Sequence, residues 1–221
     1  MVAISPFRAL RYDPAVVQTL DRVIAPPYDV IDEAQQQQLY DASPYNIVRL
    51  ILGRQSSADT DADNRYTRAR RDFEAWQSAG ALRQDAEPAL YVIEHTFECD
   101  GRRHARLGVF ALLAFGERTR EDVLRHEATL AAPKADRTKL LEAVPANLSP
   151  VFCVYPDEGG RLQAQVARVT AQPPTHQAAL QGQPIRFWRV TSPDEIATIT
   201  KGLAGTPSVL IADGHHRFEV A

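Results

Sequence analysis

Two stretches of the chain gather side chains that could do chemistry. One is Asp213-Gly-His-His-Arg217, directly after the apolar run Val209-Leu-Ile211. A glycine turn between a strand and a helix start leaves backbone N–H groups pointing outward, and these donors favour an anion. His215, His216 and Arg217 crowd the same turn. The alternative is a corner whose basic residues are merely solvated, and residue types alone leave both readings open. The other stretch is Leu124–Glu142, which holds His126, Glu127, Thr129, Lys134, Asp136, Arg137 and Lys139. If a helix starts at Lys134 after Pro133, Lys134 and Arg137 lie three apart on one face and could hold phosphate oxygens. Glu127 could then be a general base or a metal carboxylate. The competing reading is a capped helix with surface ion pairs.

Two further segments could bring polar groups to such a site. In Ala25-Pro-Pro-Tyr-Asp29 the prolines fix φ and remove two donors, so the segment runs extended and presents Tyr28 and Asp29. Asp29 could equally cap the next element. Tyr45–Leu52 reads as an apolar strand carrying Asn46 and interrupted by Arg49. A charge inside such a run is costly if buried without a partner, so Arg49 either faces solvent or points into a polar site. A zinc site at His95, Cys99 and His104 is not expected, because it lacks a fourth ligand.

The elements that must position these groups follow from patterning. Strands are expected at Phe7–Tyr12, Ala89–Phe97, Arg106–Phe115, Val151–Tyr155 (buried), Ile185–Val190 and Val209–Ile211. Asp100-Gly101 is a hairpin turn signal. Helices are expected from Glu33 with Asp32 as cap, over 63–79, over 161–170, and from Pro193 behind a Ser192–Glu195 capping box. Between them Gly53–Asn64 reads as a polar loop. In the helix at 63–79, Tyr66, Ala69, Phe73 and Trp76 form the apolar stripe, and its arginines read as a solvated face. The expected fold is α+β, a mixed sheet with flanking helices. It is read as one unit over 1–221 with a sub-division near 120–150. The sequence stops within what reads as a helix, so it is expected to be the N-terminal part of a longer protein.

Composition bounds the class. The chain has 221 residues, 44% hydrophobic and 24% charged, with a net charge of -3. That is ordinary globular composition, and it carries no overall basic signature of a nucleic-acid binder. The two cysteines, Cys99 and Cys153, match no metal or redox spacing and read as free thiols in a reducing compartment. No apolar run is long enough for a membrane helix, and the N-terminus does not read as a signal peptide. A cytoplasmic protein is expected.

Phe7–Tyr12, Ala25-Pro-Pro-Tyr-Asp-Val-Ile31, Asn46-Ile-Val-Arg-Leu50, His126-Glu127, Lys134-Ala-Asp-Arg137, Asn147-Leu-Ser-Pro150 and Ile211-Ala-Asp-Gly-His-His-Arg-Phe-Glu219 occur in this order. Together they resemble the N-terminal half of domain-of-unknown-function family 1015, often labelled SpoOJ/ParA/ParB-like. Asp213–Arg217 is also similar to the phosphate-binding turn of the ParB/sulfiredoxin-like superfamily, which includes free-serine kinases. That resemblance implies a nucleotide-binding strand–turn–helix. Gly214 would allow close backbone approach, Arg217 would contact phosphate, and His216 would sit beside that arginine. His215 stands where sulfiredoxins carry their cysteine, which argues against sulfiredoxin chemistry.

The resulting expectation is a protein that binds ATP or ADP, with Mg²⁺, through this turn. It would transfer phosphate to a small hydroxyl metabolite such as a free amino acid. Gly214, His215, His216, Arg217, Lys134, Arg137 and Arg49 are the candidate phosphate-binding residues. Glu127, Asp213 and His126 are the catalytic candidates, and Tyr28, Asp29, Asn46 and Glu219 are further candidates. The alternative is a ParB-like, nucleotide-dependent regulatory or DNA-associated module without turnover. No sequence-specific nucleic-acid binding is expected, since these residues show no helix-turn-helix.

Overall fold

A computed structural model of the protein describes residues 2–116, 119–204 and 206–221. The first stretch of elements runs β1 (Ile4–Ser5), β2 (Leu10–Tyr12), α1 (Pro14–Val17), α2 (Glu33–Ala42), α3 (Val48–Ile51), α4 (Arg65–Ser78), β3 (Leu82–Gln84), β4 (Leu90–Cys99), β5 (Arg102–Phe110) and β6 (Leu112–Leu113). It continues with α5 (Thr119–Asp122), β7 (Val123–Leu124), α6 (Ala131–Ala143), β8 (Phe152–Val154), α7 (Arg161–Thr170), β9 (His176–Leu180), β10 (Gln183–Val190), α8 (Pro193–Ala204), β11 (Val209–Asp213) and α9 (His215–Val220). The fold is therefore α+β. The strands form several small sheets rather than one mixed sheet.

The chain divides into two compact units. The first comprises Met1–Ala9, Gln84–His126 and Phe152–Asp213. Its largest sheet is antiparallel, in the order β5-β4-β10-β9. The Asp100-Gly101 signal does its work here: Cys99 pairs with Arg102, and both turn residues have positive φ, 51° and 68°. That is the backbone a two-residue hairpin needs. A second two-residue turn, Gln181-Gly182, joins β9 to β10 with φ of 53° and 78°. One sheet face buries Leu90, Val92, Trp188 and Val190 against Leu162, Val166 and Val169 of α7 and Ile199 and Leu203 of α8. A smaller mixed sheet has β11 between β7, which is parallel to it, and β8, which is antiparallel. Its central residue Ile211 is fully buried, whereas Phe152 and Val154 of β8 are exposed, so β8 is not the buried strand its composition suggests.

The second unit comprises Leu10–Arg83, Glu127–Val151 and Gly214–Ala221. Its core joins Val23, Leu50, Ala69, Trp76, Leu140 and Val144. Asp32 caps α2 by accepting from the Gln35 N–H at 2.7 Å, and Asn64 with Thr67 closes a capping box on α4. Ala69 and Trp76 of the predicted stripe are buried, with Tyr66 and Phe73 packed partly beside them. The arginines of α4 are less solvated than expected: Arg68 pairs with Asp59, and Arg70 donates to the Ala143 carbonyl.

Four local expectations are corrected. Tyr45–Leu52 is not a strand but ends in the one-turn helix α3. Asn46, fully buried, forces this: its amide donates to the Arg22 and Ile24 carbonyls while its Oδ1 accepts from the Val48 N–H. Phe7–Tyr12 is a single bridge at Phe7 followed by the short strand β2. The extended segment after Val23 closes into a 3-10 turn at Tyr28–Val30. Helix α6 begins at Ala131, not Lys134, with Pro133 inside its first turn, where the missing N–H has no intrahelical partner to lose.

Candidate functional site

Gly214 adopts φ 97° and ψ 28°. A Cβ at this position would lie 2.7 Å from Nη2 and 2.9 Å from Nε of Arg217. The guanidinium thus occupies the space where any other residue would carry its side chain. Glycine is required for the left-handed backbone, while the guanidinium, the far end of a flexible side chain, can swing clear of a Cβ. Helix α9 has only 6 residues, so its dipole adds little at the turn. The positive charge there is the arginine's own.

The other polar residues of α9 are tied to Glu127–Lys134. His215 is 1% exposed, and its Nδ1 lies 2.9 Å from Oε1 of Glu127, whose side chain is 54% exposed. The Leu130 N–H donates to Nε2 of His216 at 3.0 Å, which places the His216 proton on Nδ1. Glu219 accepts from the Thr129 hydroxyl at 2.5 Å and lies 3.1 Å from Nζ of Lys134. Glu127 and His215 together have the form of a carboxylate–imidazole proton-transfer pair. Both groups are also of the kinds that ligate divalent metals.

Arg137 sits one turn along α6 from Lys134 but serves a different partner. Its Nε donates to Asp136 Oδ2 at 2.8 Å, its Nη2 reaches the same oxygen, and its Nη1 donates to the Ile51 carbonyl at 3.0 Å. The guanidinium also lies 4.0 Å from the centroid of the Tyr28 ring. The second oxygen of Asp136 receives the Tyr66 hydroxyl at 2.7 Å and the Arg65 guanidinium. Burial pushes the Asp136 carboxyl up, but the Tyr66 hydrogen bond and the Arg137 and Arg65 guanidiniums outweigh it and hold it below its usual range. The Tyr28 phenol is raised, by burial above all, with the charges of Arg137 and Arg217 opposing.

Arg137 and Arg217 also share the wall of a cavity of about 50 Å³ with Asn147 and Ser149. Four separated sequence stretches therefore meet inside the second unit: Tyr28, the Lys134–Arg137 segment, Asn147–Ser149 and the Gly214 turn. Arg65 and Tyr66 complete the Asp136 cluster, and sequence reasoning missed them. The sequence places Arg65 in the solvated basic face of α4 and Tyr66 in its apolar stripe, and neither reading points to Asp136.

The remaining candidates make other contacts. Arg49 donates to the Tyr40 carbonyl at 2.9 Å and stacks on the Tyr40 ring at 4.4 Å, which satisfies the C-terminal end of α2. Asn46 is the loop lock described above, and Asp29 is exposed on the 3-10 turn. In the first unit, Asp213 is the last residue of β11 and pairs with Phe152 across an irregularity. His126 is exposed, with its Nδ1 2.8 Å from the Ile211 carbonyl, also in the first unit. Both thiols are free: Cys99 is exposed, and burial raises Cys153.

No helix among the described residues is long and apolar enough to cross a membrane. No curated protein and no solved structure matches the chain. The family described as "Protein of unknown function (DUF1015)" matches residues 4–221, nearly the whole chain, and the chain belongs to that family.

Proposed function

We propose that the protein binds the phosphates of a nucleotide, ATP or ADP, at the Gly214–Arg217 turn and transfers a phosphoryl group to a small hydroxyl metabolite. The observation that carries this reading is the Arg217 guanidinium folded onto Gly214, in the space a Cβ would take. A guanidinium lying against a turn that carries no side chain offers bidentate donors beside the backbone, which suits a phosphate. The likeness of Gly214-x-x-Arg217 to the superfamily turn supports the same ligand. Phosphoryl transfer also needs a base for the hydroxyl and charge neutralisation, usually by Mg²⁺. Glu127 backed by His215 is the candidate base, and it lies in the same unit as the turn.

One observation favours the second reading, binding without turnover. Lys134 and Arg137, the cations that would neutralise a transferring phosphate, face Glu219 and Asp136. Calorimetric titration of ATP, ADP and CTP tests the shared premise, which fails if wild type binds none of them. Incubation with ATP, Mg²⁺ and a metabolite pool, followed by mass spectrometry, separates the readings. A new phosphorylated product supports the kinase, and binding without product supports the regulatory module.

A further inference from the structure

The antiparallel sheet of the first unit has two unlike faces. Side chains alternate along each strand, and directly paired residues share a face. The face under α7 and α8 carries Leu90, Val92, Trp188 and Val190. Both carboxylates among the paired positions of this sheet, Glu94 and Glu98, are on that same face, opposite Arg186 and Arg103. The other face has no carboxylate at its paired positions. Arg102, His104 and Arg106 stand on it from β5, beside Phe97 and His95 of β4 and Phe187 of β10.

The aromatic groups on this face already lie in contact. Phe97 stacks with His104 at 5.6 Å between centroids and tilts against His95 at 5.9 Å. Phe187 stacks with His176 at 6.2 Å and with Tyr91 at 5.6 Å. The Arg106 guanidinium is 5.8 Å from the Phe97 ring and 4.9 Å from the exposed Phe152 ring. Arg102, His104 and Arg106 are exposed, whereas Phe97 and Phe187 are half-buried. Arg189, on the same face, pairs with Asp85 and Glu87, so the basic character of this face rests on β5.

We infer that this face binds single-stranded nucleic acid. Bases extend the Phe97–His104 stack at its exposed histidine, and backbone phosphates meet Arg102 and Arg106. Flat aromatic groups interleaved with cations suit unpaired bases, which present a π-face whatever their sequence. A duplex keeps those faces stacked internally, so it gains only the phosphate contacts. An acidic peptide would use the arginines but add nothing to the aromatic stack, and an apolar partner would have to bury the cations. The inference uses a different unit from the nucleotide proposal and stands independently of it.

Fluorescence anisotropy with labelled 12-mer U and T oligonucleotides on the intact chain tests this. Binding is expected, with a log–log salt slope near -1.4 for about two phosphate contacts. Phe97→Leu keeps the site apolar but removes the ring, and should weaken binding roughly tenfold. Arg102→Ala with Arg106→Ala should weaken it further and flatten the salt slope. Arg103→Ala with Arg186→Ala removes equal charge from the opposite face and should leave affinity within about twofold. Duplex of the same length should bind at least tenfold more weakly. The inference is overturned if wild type binds no oligonucleotide, if the opposite-face pair loses as much as the open-face pair, or if Phe97→Leu leaves affinity unchanged. An acidic peptide competing as well as the oligonucleotide would also overturn it.

Discussion

Arg137 and Arg217 lie on the wall of one cavity, yet their immediate surroundings differ. Arg137 is fixed by charge: Asp136 takes two of its donors, the Ile51 carbonyl a third, and the Tyr28 ring lies against its plane. Arg217 lies against a glycine, with its guanidinium in the space a Cβ would take. A ligand phosphate at Arg137 would have to compete with a carboxylate whose proton affinity the cluster has lowered. The difference shows that a basic spacing, such as Lys134 and Arg137 three apart, does not by itself make a phosphate clamp. What each cation faces decides its use.

The comparison breaks most readily at Asp136. Asp136→Asn leaves two guanidiniums, Arg65 and Arg137, against a neutral amide. Losing one partner of a buried pair costs several kcal/mol, but Asp136 and Arg65 keep about a fifth of their exposure while Arg137 keeps 9%, so about 2 kcal/mol is expected in chemical denaturation. ATP affinity should stay within a few-fold. A loss of binding with stability intact would move the phosphate site to Arg137.

Gly214→Ala should cost about 1–2 kcal/mol from its positive φ and weaken ATP binding at least tenfold. Gly182→Ala is the control, with φ of 78° and nothing within 4 Å of its Cβ. It should lose similar stability and keep ATP affinity. Equal behaviour of the two variants in both measurements would show that the arginine contact has no role.

Acid sharpens the contrast. The folded-state pKa of Asp136 is depressed, so its stabilisation is present above the ordinary carboxylate value of 3.8 and is lost as pH falls through the lower folded value. The stability gap between wild type and Asp136→Asn should hold steady from pH 7 to about pH 5 and close below about pH 4. A gap that closes near neutral pH would mean another group controls it. The smallest effect is expected at Arg49→Ala, about 1 kcal/mol from the end of α2, with ATP affinity unchanged.

Local chemistry was legible where one or two residues dictate the backbone. Helix α7 follows its pattern from Arg161 to Thr170, Asp32 and Ser192 start their helices, and Asp100-Gly101 turns the hairpin. Tyr45–Leu52 was misread because a short apolar run has the same composition in a strand and in a buried helical turn. The deciding contacts, from Asn46 to Arg22 and Ile24, are 24 and 22 residues away. Strand β9 is too weakly patterned to find without its partner β10. In the candidate site, the Gly214 turn was visible, but the partners of Arg137 were not. Arg65 and Tyr66 lie about 70 residues from Asp136, and only packing brings them together.

The most direct test of the central claim is calorimetric titration of ATP into wild type and Arg217→Ala under identical salt and Mg²⁺. Wild type should bind. Loss of one charge-assisted contact of about 1.5–3 kcal/mol should weaken the variant roughly ten- to a hundredfold while its melting transition stays cooperative. Arg217→Ala binding ATP as tightly as wild type, or wild type binding none of ATP, ADP and CTP, would contradict the account.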